Sequence, residues 1–294
     1  MRGHTDILSR TDFPENRQPL LHLSGDRTCT SGYSSVMSYL EPIQQTDTSL
    51  QFHPQNYSGH LGTHIHDVCV AAIDDNAGIW MSRLDEEAFE EAHINALGID
   101  LPNRLLSARL KRKAHYSAGR YLAKLALRSK TAKPFNDAAT TGRAPVWPLG
   151  WFGSISHCTG IAACMISAKI ARAGVDVENV LTPTRAASIV GRVISDSERA
   201  TFDALNLPLE LKTTMAFSAK EAMYKAIYSE VQAPMTFSDG RLVSINETEV
   251  VLELVRNLAP NLKQGDHIHA RCDIVWGKVL TWMYAPLPPS GSVP

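Results

Sequence analysis

IAACMISA at residues 161–168 and GVDVENV at residues 174–180 decide the architecture. The first is a short continuous apolar run and the second alternates apolar with polar; both have strand length. Upstream, GTHIHDVCVAAID at residues 62–74 alternates and carries β-branched residues, and Ile79-Trp80-Met81 begins a further strand. Residues 84–98, LDEEAFEEAHINALG, read as a helix with early acids and Gly98 as its stop, and 103–130 as a long helix rich in Leu, Ala, Lys and Arg. Downstream, 184–205 and 210–230 read as helices and 240–257 and 267–285 as antiparallel strands. Strands and helices thus recur on both sides of residue 172. The expectation is a mixed α+β or α/β fold of two halves, 51–172 and 173–294, without an internal repeat at the level of sequence. Residues 1–50, rich in Ser, Thr, Gln, Pro and Asp with little periodicity, predict a poorly ordered extension.

Composition narrows the function classes. Of the 294 residues 44% are hydrophobic and 20% charged, and Lys+Arg 29 against Asp+Glu 30 gives a net charge of -1. No global basic field exists to hold nucleic acid or an anionic membrane, so any polyanion site is local. There is no apolar run of about 20 residues and no apolar segment after the N-terminal charges, so neither a membrane span nor secretion is expected. The five cysteines are an odd set without metal-type spacing, which argues against a disulfide framework and a zinc site and for a cytoplasmic protein. A phosphate loop of the GxxxxGK[ST] kind is missing, against an ATP-dependent kinase.

Three clusters carry chemistry. In Gly174-Val175-Asp176-Val177-Glu178 the two acids share one strand face and the valines the other. Side-by-side carboxylates repel unless a cation lies between them, and Mg²⁺, an oxygen-seeking ion that keeps phosphate or water in its free positions, suits them; hydrated charges on a strand edge give the same pattern. In Phe217-Ser218-Ala219-Lys220-Glu221-Ala222-Met223-Tyr224-Lys225, Glu221 and Lys225 share a helix face. They read either as a surface ion pair or as a third carboxylate with a lysine in reach of phosphate. In Gly142-Arg143-Ala144-Pro145-Val146-Trp147-Pro148, followed by Gly153-Ser154-Ile155-Ser156-His157-Cys158, the glycines and prolines predict rigid loops whose N–H groups, Arg143, hydroxyls and imidazole face an anion.

The order GRAPxWP, GSISHC, GVDVE and FSAKEAMYK, spread over roughly residues 60–285, resembles the Sfp-type 4′-phosphopantetheinyl transferases, and among them the enterobactin synthase component D subgroup. GxDxE followed downstream by KExxxK is the family's defining pair, more specific jointly than either block alone. Lys111-Arg112-Lys113-Ala114-His115-Tyr116-Ser117-Ala118-Gly119-Arg120 resembles the subgroup's basic helix. The family's motif helix often begins with Trp where this chain has Phe217, a common feature of the subgroup.

The resemblance implies two similar α/β halves with the active site in the cleft between them. It implies transfer of 4′-phosphopantetheine from coenzyme A to a serine of an apo peptidyl, aryl or acyl carrier protein, releasing adenosine 3′,5′-bisphosphate. Asp176, Glu178 and Glu221 match the family's Mg²⁺ carboxylates, with Glu221 also the candidate general base, and Lys225 matches the lysine at the pyrophosphate. Ser156 and His157 match the pair at the coenzyme A phosphates and Arg143 the basic loop residue; Arg112, Arg120 and Lys220 are further candidates for coenzyme A. A monomer is expected. A non-catalytic coenzyme A or carrier-binding module, and a Mg²⁺-dependent phosphodiesterase, are the rival readings; the intact acids and Lys225 argue against the first, the near-neutral charge against the second. The pairs His64/His66 and His267/His269, each set on one strand face, read as ordinary strand histidines rather than a metal site.

Overall fold

The computed structural model describes residues 50–131, 140–141, 144–168, 171–231 and 234–286. The extension expected over residues 1–50 therefore lies outside the described residues except for Leu50.

In chain order the first sheet takes strands β1 (His53–Pro54), β2 (Ile65–Ala72) and β3 (Ala77–Leu84). After a two-residue pair, β4 (Thr140–Thr141) and β5 (Ala144–Pro145), it takes β6 (Trp151–Cys158) and β7 (Ile161–Ala168). The spatial order is β1-β2-β3-β7-β6. The second sheet, in the order β8-β12-β11-β10-β9, consists of β8 (Ala171–Asn179), β9 (Gly240–Ile245), β10 (Glu249–Leu254), β11 (His267–Val275) and β12 (Lys278–Pro286). All pairings in both sheets are antiparallel. The helices are α1 (Ala92–Ala96), α2 (Leu110–Lys130), α3 (Pro183–Val193), α4 (Arg199–Ala204) and α5 (Leu209–Ile227).

Burial explains why the two deciding stretches read differently. Along β7, Ala162, Cys164 and Ile166 pack with Leu122 and Ala126 of α2, while Ile161, Ala163 and Met165 pack on Val175, Val177, Leu280 and Trp282 of the second sheet. A strand covered on both faces is apolar throughout. On β8, Val175 and Val177 enter that inter-sheet core, whereas Gly174, Asp176 and Glu178 turn toward α5. Helix α5 buries Leu211, Met215, Ala219 and Met223 in a third core with Phe202 and Leu252. Each such aliphatic or aromatic side chain contributes about 1.5–3 kcal/mol on full burial. The result is a stack of helix, sheet, sheet and helix, with α2 outside one sheet and α5 outside the other.

Close approach at one glycine sets the distance between α5 and β8. A Cβ on Gly174 would lie 2.2 Å from the Ala222 carbonyl oxygen and 2.8 Å from the Ala226 Cβ, so only glycine lets the helix backbone rest on the strand. The β11–β12 hairpin turns on Trp276 and Gly277, both at positive φ (52° and 72°), as a two-residue turn of the primed type requires. Arg83 of β3 stacks 5.0 Å from the Trp276 ring and ties this turn to the first sheet.

Three expectations need correction. The helix expected over 84–98 shrinks to α1, because Asp85 spends its carboxylate on the N–H groups of Glu87 and Ala88, folding a turn there. The helix expected over 184–205 breaks into α3, a 3₁₀ turn at Asp196–Glu198 and α4. Gly153–Cys158, expected as a loop, is the interior of β6; Trp147 covers Gly153, where a Cβ would meet the indole at 2.5 Å.

The His64/His66 pair separates, while His267 and His269 both stay exposed on one face of β11. His66 is exposed on β2, while His64 precedes it and is fully buried, its ring 4.7 Å edge-on from Phe89 and stacked 5.6 Å from His93. His64 Nε2 donates to the Ala114 carbonyl at 3.1 Å, and its buried Nδ1 meets no hydrogen-bond partner. Burial, partly offset by the Ala114 bond, lowers the His64 pKa to about 4 from 6.5. The folded state then binds fewer protons than the unfolded chain, so His64's contribution is complete above the unfolded value and is lost as pH falls from about 6.5 to 4. Urea unfolding at pH 7 and pH 4.5 is expected to show His64 costing about 2–3 kcal/mol on acidification. His64→Leu should remove that share of the slope, and an unchanged slope would contradict it.

Candidate active site

Asp176 is fully buried beneath α5, and its carboxylate is the hub of the site. Oδ1 accepts hydrogen bonds from Lys225 Nζ at 2.6 Å and Ser156 Oγ at 2.8 Å, and Oδ2 accepts from Ser218 Oγ at 2.8 Å. Thr281, opposite Asp176 on β12, lies 2.7 Å from the Ser218 hydroxyl and donates to it, since the Ser218 proton is committed to Asp176. Four elements, β6, β8, β12 and α5, therefore converge on one carboxylate.

Sequence spacing alone accounts for the helix side of this hub. Ser218, Glu221 and Lys225 are separated by three and four residues, so they form one stripe along α5. The outer two both bond Asp176, which places half-buried Glu221 between them on the face turned to β8. Glu178, two residues beyond Asp176, shares its strand face. Lys225 also reaches Ser156 Oγ at 3.0 Å and the Val175 carbonyl at 3.3 Å.

The serines of β6 hold the seam between the sheets. Ser156 accepts from the Val177 N–H at 3.2 Å and Ser154 donates to the Val175 carbonyl at 3.3 Å, so hydroxyls satisfy the outer edge of β8 in place of another strand. Ser156 therefore acts inside the carboxylate hub rather than on a loop facing an anion.

His157 points to the opposite face of β6. Its Nε2 lies 3.3 Å from Arg112 NH1, and its ring centroid is 4.6 Å from that of His115. Because a guanidinium only donates, Nε2 accepts and the proton of neutral His157 resides on Nδ1. Arg112 is exposed at the start of α2 beside Lys111, which bonds Glu86 at 3.0 Å.

Three expected residues fare otherwise. Arg120 is 3% exposed, its guanidinium 5.0 Å over the Tyr116 ring. Lys220, 1% exposed, turns from the Glu221 face and donates to Glu198 at 2.6 Å and the Val193 carbonyl at 2.7 Å. Both were expected as coenzyme A contacts; the structure places both in buried surroundings with internal partners. Arg143 lies outside the described residues. Among the described residues no three His, Cys, Asp or Glu side chains are grouped to hold a metal ion, and in this structure the Lys225 ammonium is the cation on Asp176.

Sequence reasoning missed Ser218, Thr281, Glu86 and His115. Ser218 was open to discovery, since it stands one helical turn before Glu221; Glu86 was hidden in an acid-rich run that reads as a solvated face. The described cysteines, Cys69, Cys158, Cys164 and Cys272, are all buried, and burial pushes the Cys69 thiol up to about 12. No helix among the described residues is long and apolar enough to cross a membrane.

Comparison with known proteins agrees with this geometry. Residues 102–167 match the 4′-phosphopantetheinyl transferase N-terminal domain, and residues 172–272 match the 4′-phosphopantetheinyl transferase superfamily. Enterobactin synthase component D of Salmonella typhi is 34% identical over 202 residues, 69% of this chain and 76% of the relative. The Escherichia coli K12 protein of the same name is 35% identical over 149 residues, 51% of this chain and 70% of that one. The 4′-phosphopantetheinyl transferase Npt of Nocardia iowensis is 27% identical over 144 residues, covering 49% of this chain and 61% of the relative. With GVDVE on β8 and KEAMYK on α5 brought together at one buried carboxylate, this chain belongs to the 4′-phosphopantetheinyl transferase superfamily.

Proposed function

We propose that the chain moves 4′-phosphopantetheine from coenzyme A to a serine hydroxyl of an apo carrier protein, in the cleft where residues 51–172 meet 173–294. Asp176, Glu178 and Glu221 hold Mg²⁺, Glu221 is the general base, and Lys225, His157 and Arg112 bind phosphate. The observation that carries this reading is the ion pair of Lys225 with buried Asp176, 2.6 Å long, under the helix stripe that also presents Glu221.

The donor set fits Mg²⁺. Hard carboxylate oxygens lie on one strand face and one helix face, and Mg²⁺ ordinarily takes one or two protein carboxylates and completes its octahedron with phosphate and water. Bound there, the ion supplies positive charge to the pyrophosphate oxygens. The chain's own residues do the rest. Glu221 accepts the proton of the carrier serine as its Oγ forms a bond to the β-phosphorus of coenzyme A. The bridging P–O bond breaks and its electron pair leaves on adenosine 3′,5′-bisphosphate. Lys225, whose side chain is 23% exposed beside Asp176, brings its ammonium to that charge and stabilises it. His157 Nδ1–H and Arg112 offer donors at the entrance formed by α2 and β6. A net charge of -1 leaves such local cations to attract a polyanionic cosubstrate.

The names of the enterobactin synthase relatives favour a siderophore-type peptidyl or aryl carrier as partner. A cytoplasmic monomer suits a coenzyme A-dependent enzyme with buried thiols. Thermal melting tests the binding half of the proposal. Coenzyme A at about 100 times its Kd should raise the melting temperature by roughly 5–10 °C with Mg²⁺ present and far less without it. An equal rise under both conditions would count against the metal assignment.

A further inference from the structure

We propose that Glu86 is a positioning residue for the coenzyme A anion site, acting through His115 on the His157–Arg112 pair; this rests on the reading of that pair as phosphate contacts. Glu86 sits in the loop after β3, and its side chain is only 13% exposed. Oε1 accepts from His115 Nε2 at 2.5 Å and from the Gly160 N–H at 3.1 Å, and Oε2 takes the Lys111 ammonium at 3.0 Å. One carboxylate thus joins α2, which carries Arg112, to the turn that directly follows β6, the strand that carries His157.

An exposed ion pair of this kind would be worth little, but His115 is 10% exposed on its side chain, and two donors from α2 and one from the β6–β7 turn converge on the carboxylate. Burial alone would raise the Glu86 carboxyl, yet the bonds from His115, Lys111 and Gly160 outweigh it and hold the group below its usual value. An ionised Glu86 fixes His115 with its proton on Nε2 and its ring 4.6 Å from His157, tilted by 44°. That ring is the surface against which His157 packs while its Nε2 takes the Arg112 N–H. Without the carboxylate, His115 loses its acceptor, Lys111 and Arg112 repel one another uncompensated, and His157 loses the support that orients it.

Steady-state kinetics of Glu86→Gln, His157→Ala and the double variant test this, with melting curves to check folding. Glu86→Gln should raise KM for coenzyme A about tenfold, leaving kcat and the KM for carrier nearly unchanged. In the His157→Ala background, Glu86→Gln should add nothing, because it acts through the missing ring. An unchanged KM in Glu86→Gln, or effects that multiply in the double variant, would overturn the proposal. If His157→Ala leaves KM for coenzyme A unmoved, the reading beneath it fails instead, and the proposal with it. Should Glu86→Gln not fold, His115→Gln keeps an N–H for Glu86 but removes the packing ring; it should give the same rise, and no rise there would overturn the proposal equally.

Discussion

Asp176→Asn should lower the rate of carrier modification about 100- to 1,000-fold, the scale of losing a key electrostatic group in a closed site. The substitution keeps the volume of a fully buried side chain but replaces two acceptor oxygens with one oxygen and an NH₂. Ser156, Ser218 and Lys225 all donate to Asp176, so the amide must face at least one of them donor to donor. Lys225 loses its counter-ion, and on the proposed reading Mg²⁺ loses its most buried ligand. A single-turnover assay with saturating coenzyme A isolates this loss from binding. A rate within about threefold of wild type would show that the hub is structural and that the chemistry lies elsewhere.

Glu198→Leu should destabilise the protein by about 3–5 kcal/mol, the cost of breaking a buried ion pair from one side. Glu198 and Lys220 are 2% and 1% exposed and meet at 2.6 Å. Burial lowers the Lys220 pKa, and Glu198 pulls it partly back, so loss of the carboxylate strands an ammonium among Phe202, Val193 and the α5 core. The same substitution removes the carboxylate acceptor of the Leu242 N–H, held at 2.6 Å, and of the Ser195 N–H and hydroxyl. Lys220→Met should cost less, since Glu198 keeps those three donors. Urea unfolding of both variants checks the order, and a larger loss for Lys220→Met would contradict it. Transfer by folded Lys220→Met should stay near wild type, in keeping with its removal from the coenzyme A contacts.

The legible parts of the sequence were those in which one periodicity ruled. Val175 and Val177 against Asp176 and Glu178 gave β8 and its two faces, and the spacing of Glu221 and Lys225 gave the helix face that meets them. Elements set by tertiary contact were not legible. Gly153-Ser154-Ile155-Ser156 has the composition of a loop, and becomes a strand because Trp147 fills the space over Gly153 and the two hydroxyls replace strand pairing along β8. The acids after Leu84 suggested the first turn of a helix, yet Asp85 caps a turn and Glu86 crosses to His115. Lys220 and Arg120 were drawn into the site by adjacency to matching motifs, although one residue along a helix rotates a side chain by about 100° and turns it to another environment. The family resemblance supplied the roles; the structure supplied the partners that separate Lys225, which reaches the hub, from Lys220, which does not.

The most direct test of the central claim is intact-mass spectrometry of an apo peptidyl carrier and an apo fatty-acid carrier, each incubated with the protein, coenzyme A and Mg²⁺. The account predicts a gain of one phosphopantetheine group, abolished by chelation of the metal and by Glu221→Ala, with the peptidyl carrier modified faster. No gain on either carrier by a folded protein that still binds coenzyme A would contradict it and favour a non-catalytic binding module.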